Sequence, residues 1–248
     1  MFPYKEVFDL VEQSRLERSG LSLPEFEAWG MKWKELHERE FSDSDYYRKL
    51  VHIIFYAGFR AETVTDHLEI IDSYFSDYHK VADYDEESIQ AIMNDTAMIR
   101  NERKIRACVK NAQVFREIVG EAGSFKGYLD SFENTECLYE DIKKRFAHMG
   151  QITSYHFLTD IGADVLKPDR VITRIFSRLG LIQNEKQIHE AVEQGKRFSE
   201  ATGHPIRYID IIFVGYGQVG EMGICLSKNP LCHLCSIQGF CGEKQMDI

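Results

Sequence analysis

The sequence is poor in proline, with five, and in tryptophan, with two, and nowhere does it run apolar for the length a bilayer requires. Alternation of apolar and polar residues over a strand's length is also missing, which excludes a β-sandwich or barrel. No internal repeat or low-complexity tract is present, so solenoids and linker-joined arrays drop out as well. Met1–Leu10 (MFPYKEVFDL) lacks the basic-then-apolar order of a leader peptide, so the chain is expected to be soluble, cytoplasmic and without a membrane partner. A surplus of cations is absent too: 30 Lys and Arg against 40 Asp and Glu leave a net charge of −10. That excludes a protein that is basic all over, and confines any nucleic-acid footprint to local patches.

What is present is helical spacing. With 44% hydrophobic residues the 248-residue chain can bury one substantial core or two modest helical ones. Ser42-x-x-Asp45 reads as a capping box that opens a helix through about Ala57. Apolar stripes at helical period follow through Val64, His67 or Leu68, Ile71 and Tyr74 or Phe75, then Ile105, Val109, Ala112, Phe115 and Ile118. Further stripes run through Tyr155, Leu158 and Ile161, and through Val171, Ile172, Ile175 and Leu179. Arg100, Arg103, Lys104, Arg106 and Lys110 form a basic cluster expected on the polar face of the long helix. The prediction is an all-α protein of short helices and short loops.

The six cysteines divide unevenly. Cys108 and Cys137 stand singly within helical patterns and read as buried, inert thiols. The other four are grouped as Cys225-x6-Cys232-x2-Cys235-x5-Cys241. Thiolates at such density wrap an inorganic centre, either an iron–sulfur cluster or structural zinc. Zinc sites usually present two close pairs far apart, whereas here a single Cys-x2-Cys pair is flanked by single cysteines, a spacing that favours iron–sulfur. Disulfides do not suit a chain without an export signal.

That spacing, in CLSKNPLCHLCSIQGFC, resembles the C-terminal cluster loop of the endonuclease III branch of helix-hairpin-helix DNA glycosylases. Gly150 to Gly180, GQITSYHFLTDIGADVLKPDRVITRIFSRLG, resembles the superfamily's hairpin helix, its aspartate-bearing loop and the helix that follows, with Thr-His of the family element replaced by Arg170-Val171. AGFRAETV from Ala57 and IRNERKIRACVKNA from Ile99 resemble a different branch, DNA-3-methyladenine glycosylase I, in order and separation. The combination looks like an alkylpurine-glycosylase body joined to an endonuclease III-like cluster loop.

The resemblance implies a two-lobed helix-hairpin-helix fold. One lobe would be the helical body 43–163; the other would combine 1–42 with 164–248, carrying a 4Fe–4S cluster (zinc being the alternative) on Cys225, Cys232, Cys235 and Cys241 at 225–241. It implies a monomeric base-excision enzyme acting on double-stranded DNA that contains a damaged base. Asp169 takes the catalytic position by resemblance, and read as a residue it is also an ordinary helix cap. Members that nick the backbone use a hairpin lysine. Gly150-Gln151-Ile152-Thr153-Ser154 has none, so the enzyme is expected to be monofunctional and without lyase activity. DNA contacts are expected from Gly150, Gln151, Thr153 and Arg170, although only Gly150 of the family's two hairpin glycines is present. Phe55, Tyr56 and Phe59 are the aromatics available to a flipped base, although aromatics in a helix beside Ile53 and Ile54 more often belong to a core. The methyladenine branch reads its base with a glutamate where this chain has Ile53, and places a tryptophan where it has Ala61. An alkylated purine such as 3-methyladenine is the leading substrate. A uracil, mismatched or oxidised base is the runner-up. From other classes, a catalytically silent iron–sulfur DNA-binding or redox protein and a zinc-stabilised interaction module remain open.

Overall fold

The computed structural model describes residues 1–220 and 222–242, and among them every regular element is helical. The chain opens with α1 (Tyr4–Ser19) and α2 (Leu23–Lys34), followed by a helical turn at Leu36–Glu38. Nine helices follow: α3 (Asp43–Tyr56), α4 (Ala61–Thr65), α5 (Leu68–Phe75), α6 (Tyr78–Ala82), α7 (Glu86–Asn94), α8 (Glu102–Ala122), α9 (Phe125–Asp130), α10 (Thr135–Arg145) and α11 (Gln151–Asp160). The last three are α12 (Arg170–Arg178), α13 (Ile188–Thr202) and α14 (Ile206–Gly217), after which the cysteine loop runs with only two short helical turns. No helix among the described residues is long and apolar enough to cross a membrane.

Two compact units emerge, Met1–Arg39 with Gly162–Ile248, and Glu40–Ile161. Residues 243–248, at the end of the former, lie outside the described residues.

In the contiguous unit, helix starts are written by short polar side chains. Ser42 accepts from Asp45 N–H while Asp45 bonds back to Ser42 N–H, closing the capping box of α3. Asp77, Asp85, Asn101, Ser124 and Asn134 cap α6 to α10 by accepting from first-turn N–H groups, without the reciprocal bond. The core is aromatic: Phe115 stacks on Phe125 with centroids 4.3 Å apart, and Tyr139 on Tyr155 at 4.1 Å.

The split unit packs α1 against α13 and α14, and α12 against α14. Phe8, Phe176, Phe198, Ile209, Phe213 and Tyr216 form its centre, all fully buried. Ser22 and Glu25 make a second capping box, on α2. Gly162, with φ of 83°, lies so close to the turn at Leu36–Glu38 that a β-carbon there would stand 2.9 Å from the Leu36 carbonyl oxygen. Only glycine meets both demands.

Three sequence expectations need correction. Lys104 is 3% exposed and points inward, because its ammonium donates to the carbonyls of Ile54 (2.8 Å), Phe55 (2.7 Å) and Ala57 (2.5 Å) at the C-terminus of α3. Phe55 is wholly buried against Phe75 and cannot face a base. Cys137 is exposed, in the first turn of α10, where only the opposite face meets the core through Leu138, Tyr139 and Ile142.

Candidate active site and cysteine loop

Asp169 is the N-cap of α12. Its Oδ1 accepts from the N–H groups of Val171 (2.8 Å) and Ile172 (3.1 Å), which fixes the carboxylate's orientation. Oδ2 lies 3.8 Å from Lys167 Nζ, and about a quarter of each side chain is exposed. The result is an oriented, partly accessible carboxylate with a cation beside it. Arg170, next in the chain, is exposed.

The same helix grips the cysteine loop further along. Arg174, 7% exposed, donates to the carbonyls of Gly217 (2.7 Å) and Cys225 (3.1 Å). Arg178 donates to Cys225 Sγ at 3.2 Å and to the Leu226 carbonyl at 2.8 Å. A β-carbon at Gly217 would fall 2.6 Å from Val171 Cγ1, so this glycine lets α12 and α14 approach closely enough for Arg174 to reach both. From α14 the buried Tyr216 hydroxyl donates to Cys235 Sγ at 3.3 Å. Ile224 and Ile237 are buried, and Cys225, Leu231, Cys235 and Phe240 pack against the core.

The four loop cysteines form no disulfide and are of intermediate burial. Among the described residues no three His, Cys, Asp or Glu side chains converge as on a single metal ion. A multi-iron cluster holds its thiolates farther apart than one ion does, and takes hydrogen bonds at sulfur and an apolar surround. The donors on Cys225 and Cys235 and the apolar footing of the loop fit that group.

In the contiguous unit the turn between α10 and α11 reads Phe146-Ala147-His148-Met149-Gly150. Gly150 has ordinary backbone angles as the N-cap of α11, and the left-handed residue is His148, with φ of 62°. The position that sequence reasoning missed a glycine for is therefore held by a histidine. Partial desolvation, then the charges of Lys104 and Arg103, keep its imidazole below the usual value. Buried Asn111 clamps the turn, donating to the Ala147 carbonyl (2.9 Å) and accepting from Ala147 N–H (2.7 Å). Beyond it Gln151 is exposed and Thr153 half-buried, and the first N–H groups of α11 precede the helix's own ladder. Asn111 and Lys104 carried one signal in the sequence: both fall on the buried stripe with Cys108.

Of the remaining aromatics, Tyr56 bonds Thr65 through its hydroxyl (3.0 Å). Phe59 is 39% exposed and lines a cleft of about 590 Å³ with Met93, Met98, Ile99 and Arg100. Lys104 Nζ lies 4.4 Å from the Phe59 ring centroid. Ile53, 2% exposed, is core.

Comparison with known proteins agrees with this architecture. The profile of the methyladenine glycosylase family matches residues 27–156. The fold is similar to endonuclease III trapped as a covalent intermediate with DNA (11% identity, TM-score 0.63, 98% of this chain and 97% of that one). It is similar also to the 8-oxoguanine DNA glycosylase of Thermotoga maritima (18% identity, TM-score 0.56, 88% and 98% covered). A third likeness is to the 8-oxoguanine glycosylase/lyase of Methanocaldococcus jannaschii in complex with a 15-mer DNA containing 8-oxoguanine (17% identity, TM-score 0.54, 82% and 94% covered). All-helical, with the hairpin between α10 and α11, the molecule has the fold of the helix-hairpin-helix DNA glycosylases, and the chain belongs to the methyladenine glycosylase family.

Proposed function

We propose that this DNA glycosylase is monofunctional, and that it hydrolyses the N-glycosidic bond of a flipped, alkylated purine such as 3-methyladenine in double-stranded DNA. The observation that carries the reading is the Asp169 carboxylate, locked through Oδ1 on the first turn of α12 and partly accessible through Oδ2. Extruding the nucleotide costs a few kcal/mol, which the pocket and backbone contacts must supply. As the bond to the base breaks, its electron pair leaves with the base and positive charge grows on the sugar. A fixed carboxylate stabilises that charge, and water then adds at the anomeric carbon. Preorientation matters because a carboxylate already held by two N–H groups need not reorganise when the charge appears.

The N–H groups of Gln151 and Thr153 at the start of α11, with Arg170, are assigned to phosphates, and Phe59 to the base. Cys225, Cys232, Cys235 and Cys241 would hold a 4Fe–4S cluster, which when bound ties the loop to α12 and α14 and takes no part in a hydrolysis that moves no electrons. Protein of this kind is brown when purified without air and carries about four irons per chain, whereas a zinc module is colourless.

The test is base release from a panel of duplexes carrying methylated purines, uracil, hypoxanthine, oxidised purines or mismatches, with Asp169→Asn alongside. The expected result is excision of a methylated purine, with a loss of about a hundredfold or more in the variant and DNA binding kept. Excision of uracil or an oxidised base instead moves the substrate. No excision by folded, iron-loaded protein points to a silent iron–sulfur DNA-binding protein.

A further inference from the structure

Buried cations in this chain as a rule end on acceptors. Lys104 reaches three carbonyls, and Arg174 reaches the carbonyls of Gly217 and Cys225. Arg15, on α1, departs from the rule. It is 6% exposed, its Nε is buried without a hydrogen-bond partner, and its Nη1 meets only the weak acceptor Met222 Sδ, at 3.7 Å. Among the described residues no carboxylate lies within ion-pair distance of it. Burial is the chief influence on the group and opposes its charge.

The seat of this guanidinium is built. It lies on the backbone of α14 at Gly215, where a β-carbon would fall 2.1 Å from Arg15 Cζ, so any other residue would evict it. It opens on a cleft of about 530 Å³, a volume suited to a nucleotide-sized ligand, whose walls include Arg18, Trp29, Trp33, Ile211 and Val214. Trp29 and Trp33 are the chain's two tryptophans. Arg15 Cζ stands 5.8 Å from the Trp29 ring centroid, and Trp33 Nε1 is a second buried donor without a partner.

A buried fork-shaped cation without an anion is costly, and becomes favourable when a two-oxygen anion completes it. Flat indoles beside it suit a planar, weakly polar body, as nucleobases stack on aromatic side chains in single-strand binding proteins. We propose that this cleft, bounded by α1, α2 and α14, is a second ligand site that binds a nucleoside monophosphate, its phosphate on Arg15 and its base against the tryptophans. The site shares no residue with the Asp169 region and stands whether or not the glycosylase reading holds.

Because both tryptophans line the cleft, their fluorescence reports on it directly. The experiment titrates the full-length protein with dAMP and dTMP, with deoxyadenosine and inorganic phosphate as half-ligands, and with a short 5′-phosphorylated single strand. The expected result is a saturable change with the nucleotides, at least about tenfold tighter than with either half-ligand. Arg15→Met should weaken it by about tenfold or more while far-UV circular dichroism is unchanged, and Asp169→Asn should bind as wild type does. Saturation by the strand at far lower concentration would assign the phosphate to a DNA end, and saturation by free nucleotide alone to a metabolite. Wild type that shows no saturable change into the millimolar range overturns the proposal, whatever Arg15→Met does. Equal binding of phosphate and dAMP also overturns it, since the tryptophans then contribute nothing.

Discussion

At the scale of single residues, charge and location part company. Lys104 stands in a run of basic residues, and composition alone places it in water; three carbonyls at the end of α3 draw it inside. Lys104→Met is expected to destabilise the protein by about 2–4 kcal/mol, seen as a lower urea midpoint, and to leave DNA affinity per folded molecule unchanged. A residue of the outer basic face would do the opposite. Asn111→Ala strips both partners from the Ala147 amide and should cost about 2–3 kcal/mol by the same assay. The capping role of Asp169 was legible and is observed on α12, and its proposed catalytic role separates from the cap by substitution. Asp169→Asn keeps the cap, while Asp169→Ala loses it and should cost about 1 kcal/mol in addition to activity. Phe55 was not legible, since an aromatic in a helix says nothing of which way it faces until its neighbours are known, and Lys104 was legible only through its place on the stripe with Cys108.

At the scale of elements, periodicity made most helices readable: the stripes from Ile105 to Ile118 and from Val171 to Leu179 became α8 and α12 with its C-cap, buried on that face except for the half-buried Val171. The short helices α4, α6 and α9 had too few turns to show a period. Polar side chains cap the starts of α6 and α9, and carboxylates at the ends of other helices make stability sensitive to acid. The carboxyls of Asp45, Asp85 and Asp95 are held below their ordinary value, chiefly by hydrogen bonds from the Ser42 hydroxyl, the Ser88 N–H and the Ala97 N–H. Arg106 holds Glu86 at about 2. Each folded value lies under the unfolded one, so the unfolded chain takes up protons first as pH falls. Their stabilisation is whole above the normal carboxylate range and is lost on descending toward about pH 2. Urea midpoints should fall modestly from pH 7 to 5, where His148 and His204 take up protons first in the unfolded chain, and further by pH 3, and Asp85→Asn should blunt the second fall. In the hairpin, His148 holds a left-handed conformation that glycine adopts freely. His148→Gly is expected to stabilise by about 0.5–1 kcal/mol, a rise of a few degrees in Tm. If the Tm drops instead, the imidazole itself supports the turn.

At the scale of the whole molecule, a chain of net charge −10 must meet DNA through local groups alone. The affinity should fall with salt along a shallow slope, set by few phosphates rather than by a basic surface, and fluorescence anisotropy between 50 and 200 mM salt, roughly, measures it. Borohydride should trap no covalent adduct with an abasic duplex, because the start of α11 lacks a lysine. Should an adduct form, Lys167 beside Asp169 is the amine to replace. Overall architecture was legible where apolar stripes and capping residues recur at helical spacing, as in α3 and α8, and illegible where cavities are lined from distant segments, as with Arg15 and Gly215. The division of the chain has a temporal consequence. Residues 40–161 form one unit and its partner unit takes both flanks, so α1 and α2 leave the ribosome long before α12, α13 and α14 exist to cover Val7, Phe8 and Val11. The central unit can complete its fold first, while the opening helices wait with apolar faces bare. Synthesis thus passes through a half-finished state whose bare apolar faces are open to chaperones and to aggregation.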